Sequence, residues 1–374
     1  MKIIVALDSF KGSMSSSELN AVVKKRLKKE IDDLELIEIP ISDGGEGFLE
    51  SYSHNSGFKT VKVMAHNPLM KRINTTYLLN ESTGIAIIES AEIIGLDKVD
   101  KLEPLEASSF GLGEVVLDAV SNGAKEILLG LGGSATNDAG IGMLKALNYE
   151  FFDENDNYID IRTSNMHLAA SLKSKDNRLN EVNFKAITDV KNVFTGENGA
   201  SNIFGPQKGL SDKDIEYVDK QFKSFKMLVK KELNLDLDKI EGTGAAGGIS
   251  GSMKAFLDAE ILPGIDFILE SVNFERHCED TDFIITGEGR IDHQSFFGKV
   301  IQGVSEKASL YNIPVIALGG SVDTQILKQL DEVYPSIFSI VNAPIFLEDA
   351  MAKEKTISNL DFTVKNICML LNLK

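Results

Sequence analysis

The chain has 374 residues, 43% of them hydrophobic and 25% charged, which supplies ample apolar material for packed cores and excludes a disordered polypeptide. Acidic residues outnumber basic ones by 56 to 39, a net charge of −17, so nucleic acid is not expected as a main partner; a phosphate backbone needs a cationic face. The longest apolar runs, such as Ile3–Leu7 and Ile313–Leu318, fall far short of the roughly 18 residues a bilayer requires, so no membrane partner is expected either.

At roughly 100–200 residues per domain, this length suggests two domains. Two cysteines, Cys278 and Cys368, are too few for a disulfide framework or a cysteine-based zinc site. Five histidines, scattered singly at 54, 66, 167, 277 and 293, give no paired metal-binding spacing. The cysteine count and the short apolar start, followed at once by a polar helix signal, point to a cytoplasmic location.

The first 45 residues read as strand, helix, strand. Ile3–Leu7 is a continuous apolar run, as expected of a strand covered on both faces. Ser15 and Glu18 have the spacing of a capping box, and Leu19, Val22, Val23 and Leu27 recur at helical intervals. Leu36–Ile41 is the second strand, and this order implies a parallel pair joined by a crossover helix. Residues 60–90 alternate, as in Thr60-Val61-Lys62-Val63 and Ile73–Leu78, and predict half-exposed antiparallel strands.

Glu126–Leu129 predicts a strand, with a helix beginning near Ala139. Residues 153–183 are polar and weakly patterned, and Phe184–Ile187 is strand-like. Ser211 to Leu233 predicts a long amphipathic helix carrying Ile215, Val218, Phe222, Phe225 and Val229. Near the C-terminus, Phe283–Thr286 predicts a short buried strand, followed by a loop and a helix with Val300, Val304 and Ala308 on one face. Pro314–Leu318 and Phe338–Val341 predict two more strands, and the tail from about Ala350 is helical. The simplest architecture is a doubly wound α/β domain made from both chain ends, with the middle inserted.

The chemistry lies where the 31 glycines gather, directly after strands and beside acidic or small polar residues. Ligands of open α/β sheets bind outside the carboxyl ends of strands, where such loops collect. Asp8-Ser9-Phe10-Lys11-Gly12 offers a lysine for a phosphate or carboxylate. Asp43-Gly44-Gly45-Glu46-Gly47 puts two carboxylates on a turn suited to Mg²⁺ or a polar substrate. Gly130 to Asp138 lies between a strand and a helix start, as in an anion cradle. It matches neither a P-loop nor a dinucleotide fingerprint. Gly242 to Gly251 holds five glycines in ten residues; it either lets two backbones pack closely or lines a pocket. Gly287-Glu288-Gly289-Arg290-Ile291-Asp292 precedes Lys299 at a helix start, where a cation opposes the macrodipole unless an anion is near. Asp189 ends a strand, as a turn former, a base or a Mg²⁺ ligand. Carboxylates, isolated cations and glycine loops without Cys or His clusters suit Mg²⁺-nucleotide phosphoryl transfer, which needs positioning and charge neutralisation more than a strong nucleophile.

In this order these segments resemble the bacterial type I glycerate kinase family. The resemblance also covers Ser42-Asp43-Gly44-Gly45-Glu46-Gly47, Gly132-Gly133-Ser134-Ala135-Thr136-Asn137-Asp138, Gly196–Ser201, Phe204–Gly209, Gly244–Gly248, and Gln294-Ser295 with Gly298-Lys299. The chain departs from the family's pattern at Leu112, where a threonine is usual, at Thr188, often cysteine, and at Val300-Ile301, where x-Pro is usual.

The resemblance implies ATP-dependent phosphorylation of D-glycerate, commonly to 2-phosphoglycerate, with Mg²⁺, in a cleft between two domains. The first would be a discontinuous flavodoxin-like domain of residues 1–62 and 281–374, and the second an inserted α/β domain of residues 63–280. It implies Asp189, Lys11 and Lys299 as catalytic groups. Asp8, Ser9, Asp43, Glu46, Arg290 and Asp292 would contact substrate, and Gly132, Gly133, Ser134, Thr136, Asn137 and Asp138 would hold nucleotide phosphates. Asp43, Asp189 and Glu288 would hold metal. A kinase for another small hydroxy acid such as tartronate, and a non-catalytic nucleotide or metabolite sensor, remain the alternatives.

Overall fold

The computed structural model describes residues 1–53, 57–292, 295, 299–323, 325 and 335–371. Gln294 and Gly298 of the sequence motif lie outside the described residues. The strands, in chain order, are β1 (Lys2–Leu7), β2 (Glu35–Glu38), β3 (Lys59–His66), β4 (Arg72–Asn80), β5 (Ile85–Glu89), β6 (Glu126–Gly130), β7 (Tyr149–Phe152), β8 (Tyr158–Ile159), β9 (Ser171–Ser174), β10 (Asn183–Thr188), β11 (Glu260–Pro263), β12 (Phe283–Ile291), β13 (Val315–Val322) and β14 (Ser336–Ser339). The chain divides into two compact units: Met1–Asp43 with Glu50–His54 and Gly264–Lys374, and Gly44–Leu49 with Asn55–Pro263. The boundary expected at 62–63 falls inside β3, which pairs with β4 from Lys59 to His66, so the whole strand belongs with the second unit.

The first unit holds a five-stranded sheet in the order β14-β13-β12-β1-β2, parallel throughout. Read from β2, this is the doubly wound order 2-1-3-4-5, with its topological switch point between β1 and β12. Both faces are covered, which explains the uninterrupted apolar run of β1. On one face the helices Ser16–Glu30 and Lys353–Leu371 bury Leu19, Val23, Leu27, Leu360, Val364 and Ile367 with Ile3, Val5 and Leu7. Elsewhere Ile301 of the helix Val300–Ser309 packs with Ile291 and Ala317. The capping box is formed: Ser15 Oγ accepts from Glu18 N, and Glu18 Oε2 accepts from Ser15 N at 3.2 Å.

β12 and β13 differ from expectation. The segment Gly287–Ile291, expected as a loop, continues β12 and pairs with β13 out to Arg290↔Ser321 and Ile291↔Val322. The glycines here serve close approach of backbones. A Cβ on Gly287 would stand 2.2 Å from the Leu318 carbonyl oxygen, and one on Gly320 would stand 2.5 Å from that of Gly289.

The second unit holds a six-stranded sheet, β11-β10-β6-β5-β4-β3, in which β5, β6, β10 and β11 are parallel and β3 to β5 antiparallel. A small sheet, β8-β7-β9, occupies part of the stretch that reads as polar and unpatterned. The helix Asp212–Leu233 sends Val218, Phe222, Phe225 and Val229 into the core, where Phe222 stacks on Phe194 with ring centroids 5.1 Å apart. Leu112 is fully buried in that core, so the family's threonine position here carries packing rather than a hydroxyl. Among the described residues no helix is long and apolar enough to cross a membrane.

Candidate active site

At the switch point of the first unit, the carboxyl ends of β1 and β12 deliver charged side chains into a cavity of about 710 Å³. Asp8, Ser9, Lys11, Asp43, Glu288, Arg290, Asp292 and Lys299 all line it. β1 ends at Leu7, and Asp8 N donates to Gly287 O at 2.9 Å, which fixes the start of the loop against β12. A tight turn follows: Phe10 N donates to Met14 O at 2.9 Å, and Gly12 adopts φ +77°, a left-handed conformation that only glycine takes without strain.

The helices of the C-terminal tail hold this turn from outside. Ser13 Oγ and Thr356 Oγ1 are 2.7 Å apart, and Lys353 bonds Glu18.

The electrostatics set this corner apart. Asp8, Asp43 and Glu288 are almost fully buried. Burial, with Asp43 and then Glu288 adding repulsion, raises the Asp8 carboxyl well above the usual range, against the pull of Lys11. Burial likewise raises Glu288 to about 7, against Lys299, with Asp43 and Asp292 adding to it. Glu288 Oε1 and Ser9 Oγ are buried without a hydrogen-bond partner in the protein. Lys11 Nζ stands 3.6 Å from Asp43 Oδ2, and Arg290 Nε is 3.1 Å from Asp292 Oδ2, both cations projecting toward solvent. Lys299 precedes the helix Val300–Ser309 as its N-cap and makes no side-chain cap bond.

Among the described residues no group of three or more His, Cys, Asp or Glu is placed to hold a metal ion. Mg²⁺ in phosphoryl transfer usually takes one or two carboxylates, the remaining ligands being water and substrate phosphates. Asp43 and Glu288, two mutually repelling buried carboxylates of which the second has an unpartnered oxygen, fit that demand.

The second unit gathers a separate set at the carboxyl edge of its parallel strands. Glu89 and Ile187 both align with Gly130 of β6, and Asp189 follows β10 directly. Glu89, which nothing in the sequence marks, ends the apolar run of β5; its carboxylate accepts from Gly47 N at 3.1 Å and Leu49 N at 3.0 Å. Burial raises it to about 7, those amides opposing and Glu92 and Glu46 adding to the rise. A Cβ on Gly132 would lie 2.6 Å from Gly45 Cα, so glycine at both places lets the two turns touch.

The expected anion cradle is already partly engaged by the chain, while Thr136 Oγ1 and Asn137 Oδ1 are buried without a hydrogen-bond partner in the protein. The helix starts at Ile141 rather than near Ala139, and its first amides are bound by Asp138. The Asp138 carboxylate accepts from Ser109 N at 2.8 Å, Ser109 Oγ at 2.9 Å, and Gly140 N and Gly142 N at 3.1 Å. Ser134, Thr136, Asn137 and Asp138 are buried, Gly132 is half-buried and Gly133 exposed. A second group that spacing does not reveal is Lys208, 2% exposed, whose Nζ donates to Ser134 Oγ at 3.0 Å and Thr136 O at 2.6 Å. Its signal was present in Phe204–Gly209, a segment notable only through the resemblance.

Gly242–Gly251 resolves as backbone packing. A Cβ on Gly247 would stand 2.3 Å from Thr136 O, and one on Gly244 would stand 2.3 Å from Val193 O.

A 2-1-3-4-5 sheet whose strand ends offer cations and repelling carboxylates defines an α/β protein built to bind a small anionic ligand. Comparison with known proteins narrows the class. The glycerate kinase family profile matches residues 3–372. A glycerate kinase of Bacillus cereus is 37% identical over 98% of this chain and 97% of its own length, and a glycerate 2-kinase of Escherichia coli K12 is 36% identical over 94% and 93%. The crystal structure of a proposed glycerate kinase 2 from Salmonella typhimurium LT2 superposes with a TM-score of 0.83 at 34% identity, covering 100% of this chain and 98% of that one. The chain belongs to the glycerate kinase family and is an enzyme of that family.

Proposed function

We propose that this enzyme transfers the terminal phosphoryl group of ATP to D-glycerate, giving 2-phosphoglycerate, with Mg²⁺ as the cofactor. The observation that carries the reading is the corner formed by Glu288 and Ser9: two buried polar oxygens without partners, facing a cavity that Lys11, Arg290 and Lys299 also line. Buried polar groups are ordinarily satisfied, so an orphaned pair in a cavity implies a ligand that satisfies them.

Lys11, Arg290 and Lys299 bind the glycerate carboxylate or the transferring phosphoryl oxygens. Asp8, Ser9 and Asp292 orient the acceptor. Asp43 and Glu288 hold Mg²⁺, which when bound neutralises charge on the phosphoryl oxygens. In the second unit, Asp189 is the candidate acceptor of the substrate hydroxyl's proton, with Glu46 a substrate contact and Asp189 also a candidate metal ligand. Of the loop 132–138, Gly132 and Gly133 are the residues left to face a nucleotide phosphate; Ser134, Thr136, Asn137 and Asp138 shape the loop. Catalysis on this reading is positioning and charge neutralisation.

A panel of small hydroxy acids tested by coupled ADP release is the direct experiment. Turnover with D-glycerate far above tartronate and longer sugar acids supports the reading. Turnover with tartronate instead supports the related kinase, and ATP binding without turnover supports a sensor.

A further inference from the structure

Two kinds of residue line the cavity of the first unit. One is the charged corner already described. The other is apolar: Val322 at the end of β13, flanked in the lining by Ser321 and Asp323, Ile340 and Val341 just after β14, and Leu347 and Met351 of the short helix Leu347–Met351. About 710 Å³ is in the range of cavities that enclose drug-sized ligands, well beyond the needs of a three-carbon acid. Glycerate also has no apolar face to lay against the apolar residues. Leu347 is nonetheless 72% exposed and its neighbour Phe346 is 82% exposed, so apolar surface is left in water there.

We propose that these apolar residues seat the base and sugar of the nucleotide, with the phosphates running from β13 and β14 toward Lys11, Arg290 and Lys299. A purine is flat and apolar on its faces, the shape that Val, Ile, Leu and Met side chains cover. The phosphates are assigned to Lys11, Arg290 and Lys299 because these are the cations that line the same cavity. This assignment rests on the ATP-dependent reading above.

The test is calorimetric titration with ADP, which needs no turnover. Met351 is a poor place to probe, since a Cβ on Gly12 would lie 2.8 Å from its Cε and the turn carrying Lys11 depends on that packing. Leu347→Ser is the primary variant, its exposure allowing the change without disturbing a core; Val341→Ser is the second. Both are expected to bind ADP roughly five- to tenfold more weakly than the parent protein, with D-glycerate affinity held. Unchanged ADP affinity in both variants overturns the assignment, as does weakened D-glycerate binding with ADP unaffected. If the parent protein binds ADP and the variants lose it, but D-glycerate is not phosphorylated, the acceptor reading fails while the nucleotide seat stands.

Discussion

Lys11 Nζ lies 3.6 Å from Asp43 Oδ2, joining a half-exposed cation on the β1 loop to a carboxylate that is almost wholly buried. The two residues are 32 positions apart and meet because β1 and β2 are adjacent parallel strands whose carboxyl ends point the same way. On the function proposed above, this pair exchanges its partner for a substrate anion. Lys11→Met is expected to lower kcat/KM for glycerate by about 10²-fold or more, the scale set by loss of a donor aimed at developing charge. Steady-state kinetics checks this, and activity within about twofold of the parent would remove Lys11 from the site.

Glu288 sets a pH dependence of the ligand-free protein. Its folded value of about 7 lies above the ordinary carboxyl value, chiefly through burial. The group therefore binds a proton more tightly when folded. Its contribution to stability is complete below the unfolded value and is lost as pH rises through about 7. Melting temperature measured without divalent cation should fall between about pH 5 and pH 8 in the parent protein, and less steeply in Glu288→Gln. Parallel profiles for the two proteins would show that Glu288 does not titrate in this range.

Lys208 is expected to act through the loop it supports. Lys208→Ala should lower stability by about 3 kcal/mol, from a cavity plus two hydrogen bonds lost to Ser134 and Thr136. Lys208→Met should recover the packing part and leave Thr136 O without its donor. Urea unfolding of the two variants separates the contributions; equal and small losses would mean that the ammonium does not organise the loop.

Asp138→Asn should cost about 2 kcal/mol, because an amide offers one acceptor oxygen where the carboxylate serves four donors. The helix Ile141–Ala146 should fray first, and amide exchange at Gly140 and Gly142 should speed up more than at strand β6. Uniform acceleration across the unit would contradict a local capping role.

Much of this was legible in the chain. The capping box at Ser15 is local in sequence, so spacing alone locates it. The apolar run of β1 and the alternation of β3 and β4 reflect one strand buried on two faces and others buried on one. Glycine was ambiguous, since the same residue serves turns and close backbone contacts. Gly287 and Gly289 read as loop residues, yet they lie in a strand because the backbones of β12 and β13 press together there. Asp138 could not be told from a ligand-binding acid, because its four donors include Ser109, 29 positions away. Glu89 and Lys208 were passed over because a single charge at the end of an apolar run or in a loop looks like solvated surface until burial is known.

The most direct measurement is phosphorus NMR of the protein mixed with ATP, MgCl₂ and D-glycerate. The account expects ATP to be consumed with equal appearance of ADP and a phosphomonoester coupled to a single proton, as at C2 of glycerate, and expects excess EDTA to stop the reaction. Intact ATP, or release of inorganic phosphate alone, would contradict it.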